Sequence, residues 1–210
     1  ILKLLKDKNC KQVLFAGKIE KPNIAKLKFD IKGLYYMPRI IKAFKLGDAA
    51  ILKELIIILD ENNIKVIKSN FFNPELSLNK GIYTKTKPNK NALYQIKSGI
   101  KSFQKLNAYD HTQAIIVNRN GSIFKETSKG TKKMIESINN NNNDYKILIK
   151  FPKKKQDLRA DLPTIGLDTL KDCKKANLKG IVLKRNQNIF LDQNKSIAFA
   201  NKNNIFIYVL

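Results

Sequence analysis

Histidine is almost missing from this chain, and that shortage removes more chemistry than any other feature of its composition. The 210 residues contain one, His111. A dimetal phosphoesterase built on several imidazole ligands cannot be assembled here, and a Ser-His-Asp triad would have to rest on that single side chain. His111 stands between Asp110 and Thr112 just ahead of a strand-like run, where a local cap or turn role is expected. Cysteine is scarce as well. Cys10 and Cys173 are the two in the chain; neither belongs to a C-x-x-C pair, which excludes a zinc ribbon and a dithiol redox motif. The nine glycines include no two spaced two apart, so there is no G-x-G-x-x-G, and no G-x-x-x-x-G-K-[ST] occurs either. Long apolar runs are missing too. Stretches such as Leu55-Ile56-Ile57-Ile58-Leu59 are broken by Lys, Glu or Asp well before the roughly 18 residues that a membrane-spanning helix requires. No signal peptide is visible. The chain opens Ile1-Leu2-Lys3-Leu4-Leu5 without a methionine, as if within an amphipathic helix, which raises the expectation of residues upstream.

Positive charge, by contrast, is abundant. The chain has 41 Lys and Arg against 17 Asp and Glu, a net charge of +24. Only Arg39, Arg119, Arg159 and Arg185 are arginine; the rest is lysine, interleaved with Ile and Asn. Three readings stay open. Lys, Ile and Asn rise together when coding sequence drifts toward A and T, with the lysines on solvated faces. Basic charge also fits a phosphate backbone, but no RNP pattern or zinc finger accompanies it, so no specific nucleic-acid partner is expected. The third reading is an anionic small substrate or an anionic membrane surface.

An apolar fraction of 43% is ample for a core. The elements alternate, which predicts a mixed α/β fold without internal repeats. Helices are expected over 1–7, 38–45, 48–59, 92–106, 167–176 and 193–201, with a short one from Gly130-Thr131. Strands are expected over 12–16, 64–69, 113–117, 122–125, 145–151, 180–184, 188–191 and 205–209. Pro38 is read as opening its helix and Asp48 as capping the next. Asn118-Arg119-Asn120-Gly121 joins two strands as a hairpin, and the asparagine run 139–143 reads as a loop tip. Residues 70–89 contain Pro74, Gly81 and Pro88 and lack periodicity. They mark a domain junction, giving an N-terminal domain over 1–80 and a C-terminal catalytic domain over 81–210.

The segment from Lys150 to Gly166 carries the chemistry. It lies between a strand-like run and a helix-like one, where α/β folds place ligands. Pro163 biases Leu162 away from the α region, so a looped or extended course is expected through Asp157, Arg159 and Asp161. In an extended course these three share a face; in a helical one Asp157 and Asp161 are still neighbours at the four-residue spacing. Such a cluster can hold a hard cation through carboxylate oxygens while Arg159 grips a phosphate. It reads equally as a solvated ion-pair network. Pro163-Thr164-x-Gly166 then supplies a rigid turn, a hydroxyl and a close backbone approach at the start of a helix.

Several stretches together carry a resemblance: Phe15-Ala16-Gly17-Lys18-Ile19 with Lys21-Pro22, Gly47-Asp48-Ala49, Gln113 leading the hairpin, Gly130-Thr131 with Met134, and above all Lys150-x-Pro152-Lys153 through Gln156-x-x-Arg159-x-Asp161-Leu162-Pro163-Thr164-Ile165-Gly166. In order and over essentially the whole chain they resemble the UDP-2,3-diacylglucosamine diphosphatase family, in the branch distinct from the calcineurin-like enzymes. The resemblance implies a two-domain, Mg²⁺-dependent hydrolase of lipid A biosynthesis in Gram-negative bacteria. Its substrate would be UDP-2,3-diacylglucosamine and its products 2,3-diacylglucosamine 1-phosphate and UMP. It implies a cytoplasmic enzyme with peripheral contact to the anionic inner-membrane surface, and an N-terminal domain that is incomplete in this chain. It assigns Asp161 and Asp157 to metal and catalysis, and Lys150, Lys153, Gln156, Arg159, Thr164, Gly166, Gly130, Thr131 and Gln113 to substrate. Gly130-Thr131 and residues 164–166 would donate hydrogen bonds to phosphate. The chain departs from the family's Glu-Gly-Thr-Asp at Lys129-Gly130-Thr131-Lys132, where two carboxylates have become lysines, and Ala49 replaces a second acidic residue. A catalytically impaired homologue that only binds a nucleotide-sugar or anionic lipid is the alternative, and a basic nucleic-acid-binding protein a further one.

Overall fold

A computed structural model describes residues 1–17, 29–106, 112–138, 145–154 and 156–210. The readings of His111, of Lys18 to Pro22 and of the asparagine run concern residues outside that set. The fold is mixed α/β, as the alternation predicts, and it divides into two compact units. One comprises Ile1–Phe72 with Gln156–Asp161, and the other Asn73–Lys155 with Leu162–Leu210.

In the first unit, helix α1 (Leu2–Asp7), strand β1 (Gln12–Leu14), helices α2 (Ile31–Leu46) and α3 (Asp48–Glu61) and strand β2 (Lys65–Ile67) follow one another. β1 and β2 pair in parallel. Ile56, Leu59, Ile64 and Val66 form the core, with Leu2, Leu5, Val13, Phe15 and Ala160 packed on it. Ala160 comes from the 156–161 segment, so part of the long motif completes this core. Two helix starts differ from expectation. α2 begins well before Pro38, because the Asp30 carboxylate accepts from the Gly33 N–H at 2.7 Å and caps it. Pro38 is then tolerated inside the helix, where it forgoes one backbone bond. Asp48 is the first residue of α3, and Gly47 (φ +102°) is its N-cap. The Asp48 carboxylate lies in the first turn, toward the positive end of the helix dipole.

The second unit rests on central strands with unbroken apolar runs, Ala114–Val117, 147–149 and 181–183, the pattern of a sheet covered on both faces. Strands β3 (Gly81–Ile82), β4 (Ala114–Val117), β5 (Ile123–Lys125), β6 (Lys146–Lys150), β8 (Leu178–Leu183) and β10 (Phe206–Val209) form one sheet in the order β3-β10-β8-β6-β4-β5. β10, β8 and β6 run parallel, while β3, β4 and β5 pair antiparallel. Alternate residues separate the faces. Ile115, Val117, Ile147, Ile149, Val182 and Phe206 meet Ala92, Ile96 and Phe103 of helix α4 (Lys90–Leu106). Ala114, Ile116, Leu148, Ile181, Leu183 and Ile207 meet helices α5 (Gly130–Glu136), α6 (Leu167–Lys175) and α7 (Gln193–Lys202). Two glycines are demanded by space. A Cβ on Gly99 would lie 2.5 Å from Val117 Cγ2, and one on Gly180 2.2 Å from the Phe206 ring. A small parallel pair, β7 (Thr164–Ile165) with β9 (Ile189–Phe190), lies outside the main sheet. β3 and β7 are two residues each, too short to leave a periodic trace in the sequence.

Candidate active site

The long motif contributes to both units, and each part is built differently. In the first unit, residues 157–161 form a single turn of helical spacing. The Asp157 carbonyl accepts from the Ala160 and Asp161 N–H groups at 3.2 and 3.1 Å, and Pro163 follows within two residues. The turn therefore takes the four-residue alternative, with Asp157 and Asp161 neighbours along it. Arg159 closes on Asp157: its backbone N–H and Nε donate to Oδ1 at 2.9 and 3.1 Å, and Nη2 donates to Oδ2 at 2.9 Å. Nη1 lies 3.4 Å from Asp60 Oδ2 on α3. Ser69 holds the Arg159 carbonyl through its N–H and its hydroxyl at 2.9 and 3.0 Å. Gln156 is buried and donates from Nε2 to the Asp161 carbonyl at 2.9 Å. The guanidinium bond from Arg159 holds the Asp157 carboxyl below its ordinary range. Partial burial opposes that shift, and the Arg159 backbone N–H and the nearby charges of Arg159 and Lys53 add to it. The same bond raises the Arg159 guanidinium. The fork expected to grip phosphate is thus turned on a carboxylate of its own turn.

In the second unit, Lys150 ends β6 and is buried; its Nζ donates to the Thr164 carbonyl at 3.1 Å and so ties β6 to β7. The Thr164 hydroxyl donates to the Leu162 carbonyl at 3.1 Å, and the residue is exposed. Gly166 is the N-cap of α6, where a Cβ would approach Leu191 Cβ to 3.2 Å. Lys153 is half-buried. Gln113, Gly130 and Thr131 come together around a residue that sequence reading passed over, Glu126. Its side chain is buried; Oε2 accepts from the Gln113 backbone N–H at 2.8 Å and Oε1 from the Thr131 hydroxyl at 2.7 Å. Gly130 supplies the positive φ of +84° that turns the chain into α5. Local pattern gave no sign of Glu126, which ends an exposed edge strand and looks solvated. Asp60 and Ser69 were missed for a similar reason: their partner lies about ninety residues away or more. Lys129 and Lys132, where the resemblance leads one to expect carboxylates, are exposed, and Lys132 Nζ lies 4.0 Å from Glu136 Oε1 on its own helix. Cys173 is fully buried and its thiol is pushed up to about 12, chiefly by burial, which removes it as a nucleophile.

Among the described residues no group of three or more His, Cys, Asp or Glu side chains is arranged to hold a metal ion. Mg²⁺ does not ask for one, since it commonly takes one or two carboxylates and completes its shell with substrate phosphates and water. Asp157 and Asp161, the carboxylates expected to serve a metal, lie on one turn, where both oxygens of Asp157 are engaged by Arg159.

No described helix is long and apolar enough to cross a membrane. Two family models match the chain in succession. The family model described as the LpxI N-terminal domain matches residues 1–76, and that described as the LpxI C-terminal domain matches residues 79–208. A curated relative, the UDP-2,3-diacylglucosamine pyrophosphatase LpxI of Caulobacter vibrioides, is 26% identical over 215 aligned residues, covering 99% of this chain and 77% of its own. With two successive domain matches that between them take in both units and the whole of the 150–166 motif, this chain belongs to the LpxI family.

Proposed function

We propose that this protein is a diphosphatase of lipid A biosynthesis that cleaves UDP-2,3-diacylglucosamine into 2,3-diacylglucosamine 1-phosphate and UMP. The observation that carries this reading is the similarity, over 99% of the chain, to a relative named for that substrate. In the reaction a water oxygen bonds to one phosphorus, the bond from that phosphorus to the bridging oxygen breaks so that this oxygen leaves with the other phosphate, and the two protons of the water pass to the product phosphates or to solvent. Asp161 is the proposed central residue, orienting the attacking water and contributing the carboxylate that holds Mg²⁺, with Asp157 in support. When bound, the ion supplies neutralisation of charge on the phosphoryl oxygens. Arg159 keeps Asp157 ionised and the turn closed, so that Asp161 is presented from a rigid element. Lys150 and Lys153 are proposed to add positive charge, the electrostatic contribution that phosphoryl transfer mainly requires. Gln156, Thr164, Gly166, Gly130, Thr131 and Gln113 are proposed to orient substrate. The proposed setting is the cytoplasm at the inner-membrane surface, where a chain of net charge +24 meets anionic headgroups.

The test is direct. The full-length protein incubated with UDP-2,3-diacylglucosamine should release UMP and the 1-phosphate in equal amounts, and excess chelator should stop the release. Absence of UMP with substrate demonstrably bound would favour the impaired homologue; release undiminished by chelator would remove Mg²⁺ from the account.

A further inference from the structure

Glu126 gives the Thr131 hydroxyl a fixed polarity. Glu126 is 8% exposed, and each of its carboxylate oxygens faces one partner: Oε2 the Gln113 N–H at 2.8 Å, Oε1 the Thr131 Oγ1 at 2.7 Å. A backbone N–H can only donate, and an ionised carboxylate can only accept. The second bond is therefore donated by the Thr131 hydroxyl, at 2.7 Å. The arrangement is held from behind as well. The Glu126 N–H donates to the Ala114 carbonyl at 3.0 Å, and the buried Thr112 hydroxyl donates to the Glu126 carbonyl at 3.3 Å. With its one proton committed, Thr131 has only lone pairs left to offer a ligand. A phosphate oxygen is itself an acceptor and would be repelled there, contrary to the role as phosphate donor that the sequence suggests for this hydroxyl.

We propose that Glu126 is a positioning residue that makes Thr131 an acceptor, so that this part of the motif recognises a hydrogen-bond donor of the substrate, a sugar hydroxyl or an amide N–H, and not a phosphate oxygen. The choice of ligand rests on the function proposed above; the polarity itself does not. Glu126→Gln reverses it. The amide oxygen still accepts from Gln113, while the amide N–H₂ donates to Thr131 Oγ1 and sets the hydroxyl proton free to point outward.

Two measurements on the full chain separate these levels. First, by NMR without ligand, the Thr131 hydroxyl proton should be a slowly exchanging resonance coupled to the Glu126 carboxylate, absent in Glu126→Gln. A Thr131 proton exchanging at solvent rates in the wild type would overturn the proposal, whatever the enzyme's substrate. Second, affinities for UDP-2,3-diacylglucosamine and for inorganic pyrophosphate should cross over. In Glu126→Gln the substrate should bind about tenfold more weakly, the scale of one buried hydrogen bond mismatched, while pyrophosphate binds as well or better. Thr131→Val should weaken substrate similarly, and Thr131→Ser, which keeps the hydroxyl and its bond, should restore it. Equal losses for both probes in Glu126→Gln, with the fold intact by circular dichroism, would mean a structural role only and would refute the assignment. If the wild type binds no UDP-2,3-diacylglucosamine while the hydroxyl proton is where we place it, the proposed function fails and the polarity stands.

Discussion

Replacing Arg159 by Ala tests whether that arginine holds its own turn or serves a ligand. The substitution removes the two-point bond to Asp157, Nε to Oδ1 at 3.1 Å and Nη2 to Oδ2 at 2.9 Å, together with the 3.4 Å contact to Asp60. It leaves the backbone N–H of residue 159 on Asp157 Oδ1 at 2.9 Å, so the carboxylate is not stripped bare. Charge-assisted two-point bonds lie above the neutral average, but the Arg159 side chain is 38% exposed against 22% for Asp157, and the Asp60 contact is more open still. Discounting for solvent leaves about 1 kcal/mol, the upper end for an exposed pair. The amides of Ala160 and Asp161, which close the turn onto the Asp157 carbonyl, report on it locally. One kcal/mol predicts hydrogen exchange about fivefold faster at those two amides in the variant at neutral pH. The pH dependence fixes the cause. The Asp157 carboxyl is depressed first by the Arg159 side chain, so its contribution is complete above the unfolded value of about 3.9 and disappears as pH falls through the folded one. The ratio of variant to wild-type exchange should therefore stay constant above about pH 5 and decline toward unity as acid protonates Asp157 in the folded protein. Wild-type exchange rates in the variant at pH 7, or a ratio indifferent to acid, would refute the reasoning.

Other consequences are equally specific. Gly180→Ala places a methyl group 2.2–2.3 Å from the ring of Phe206, its register partner on β10; urea unfolding should show a loss of about 3 kcal/mol or more, partly recovered by Phe206→Leu, and additive losses would contradict the clash. A thiol reagent should label Cys10, which is exposed, and spare Cys173 until the protein unfolds, because burial pushes the Cys173 thiol up to about 12; labelling of both in the native state would contradict the packing of α6. Binding to DNA or RNA should be weak, indifferent to sequence and steeply reduced by salt; sequence-selective binding at physiological salt near 10⁻⁸ M or tighter, on the order of a specific complex, would overturn the reading of the charge as surface and substrate electrostatics.

The sheet of the second unit was legible because its central strands carry unbroken apolar runs separated by turn residues. Ile147-Leu148-Ile149 or Ile181-Val182-Leu183 admits little else once the neighbouring segments show helical spacing. Helix starts were less legible. Pro38 is a strong start signal, yet the aspartate cap eight residues earlier won, since one missing backbone bond costs less than an uncapped amphipathic helix gains from continuing. In the motif, Pro163 pointed to a looped or extended course, and the structure takes the alternative, one turn in which the four-residue spacing makes Asp157 and Asp161 neighbours. What spacing could not carry was the direction of the Arg159 fork or the burial of Glu126. The fork closes on Asp157 two residues away, with Asp60 of α3 beside it, and Glu126 is taken up by Gln113 and Thr131; residue spacing does not choose among the partners open to a charged side chain.

The central claim is that the turn bearing Asp161 performs the hydrolysis, and the most direct measurement is the rate of UMP release by Asp161→Ala beside Asp157→Ala and the wild type. Loss of one major transition-state contact predicts a fall of at least about a hundredfold for Asp161→Ala and a smaller one for Asp157→Ala, with folded proteins in both cases. UMP release by Asp161→Ala at the wild-type rate would contradict the account.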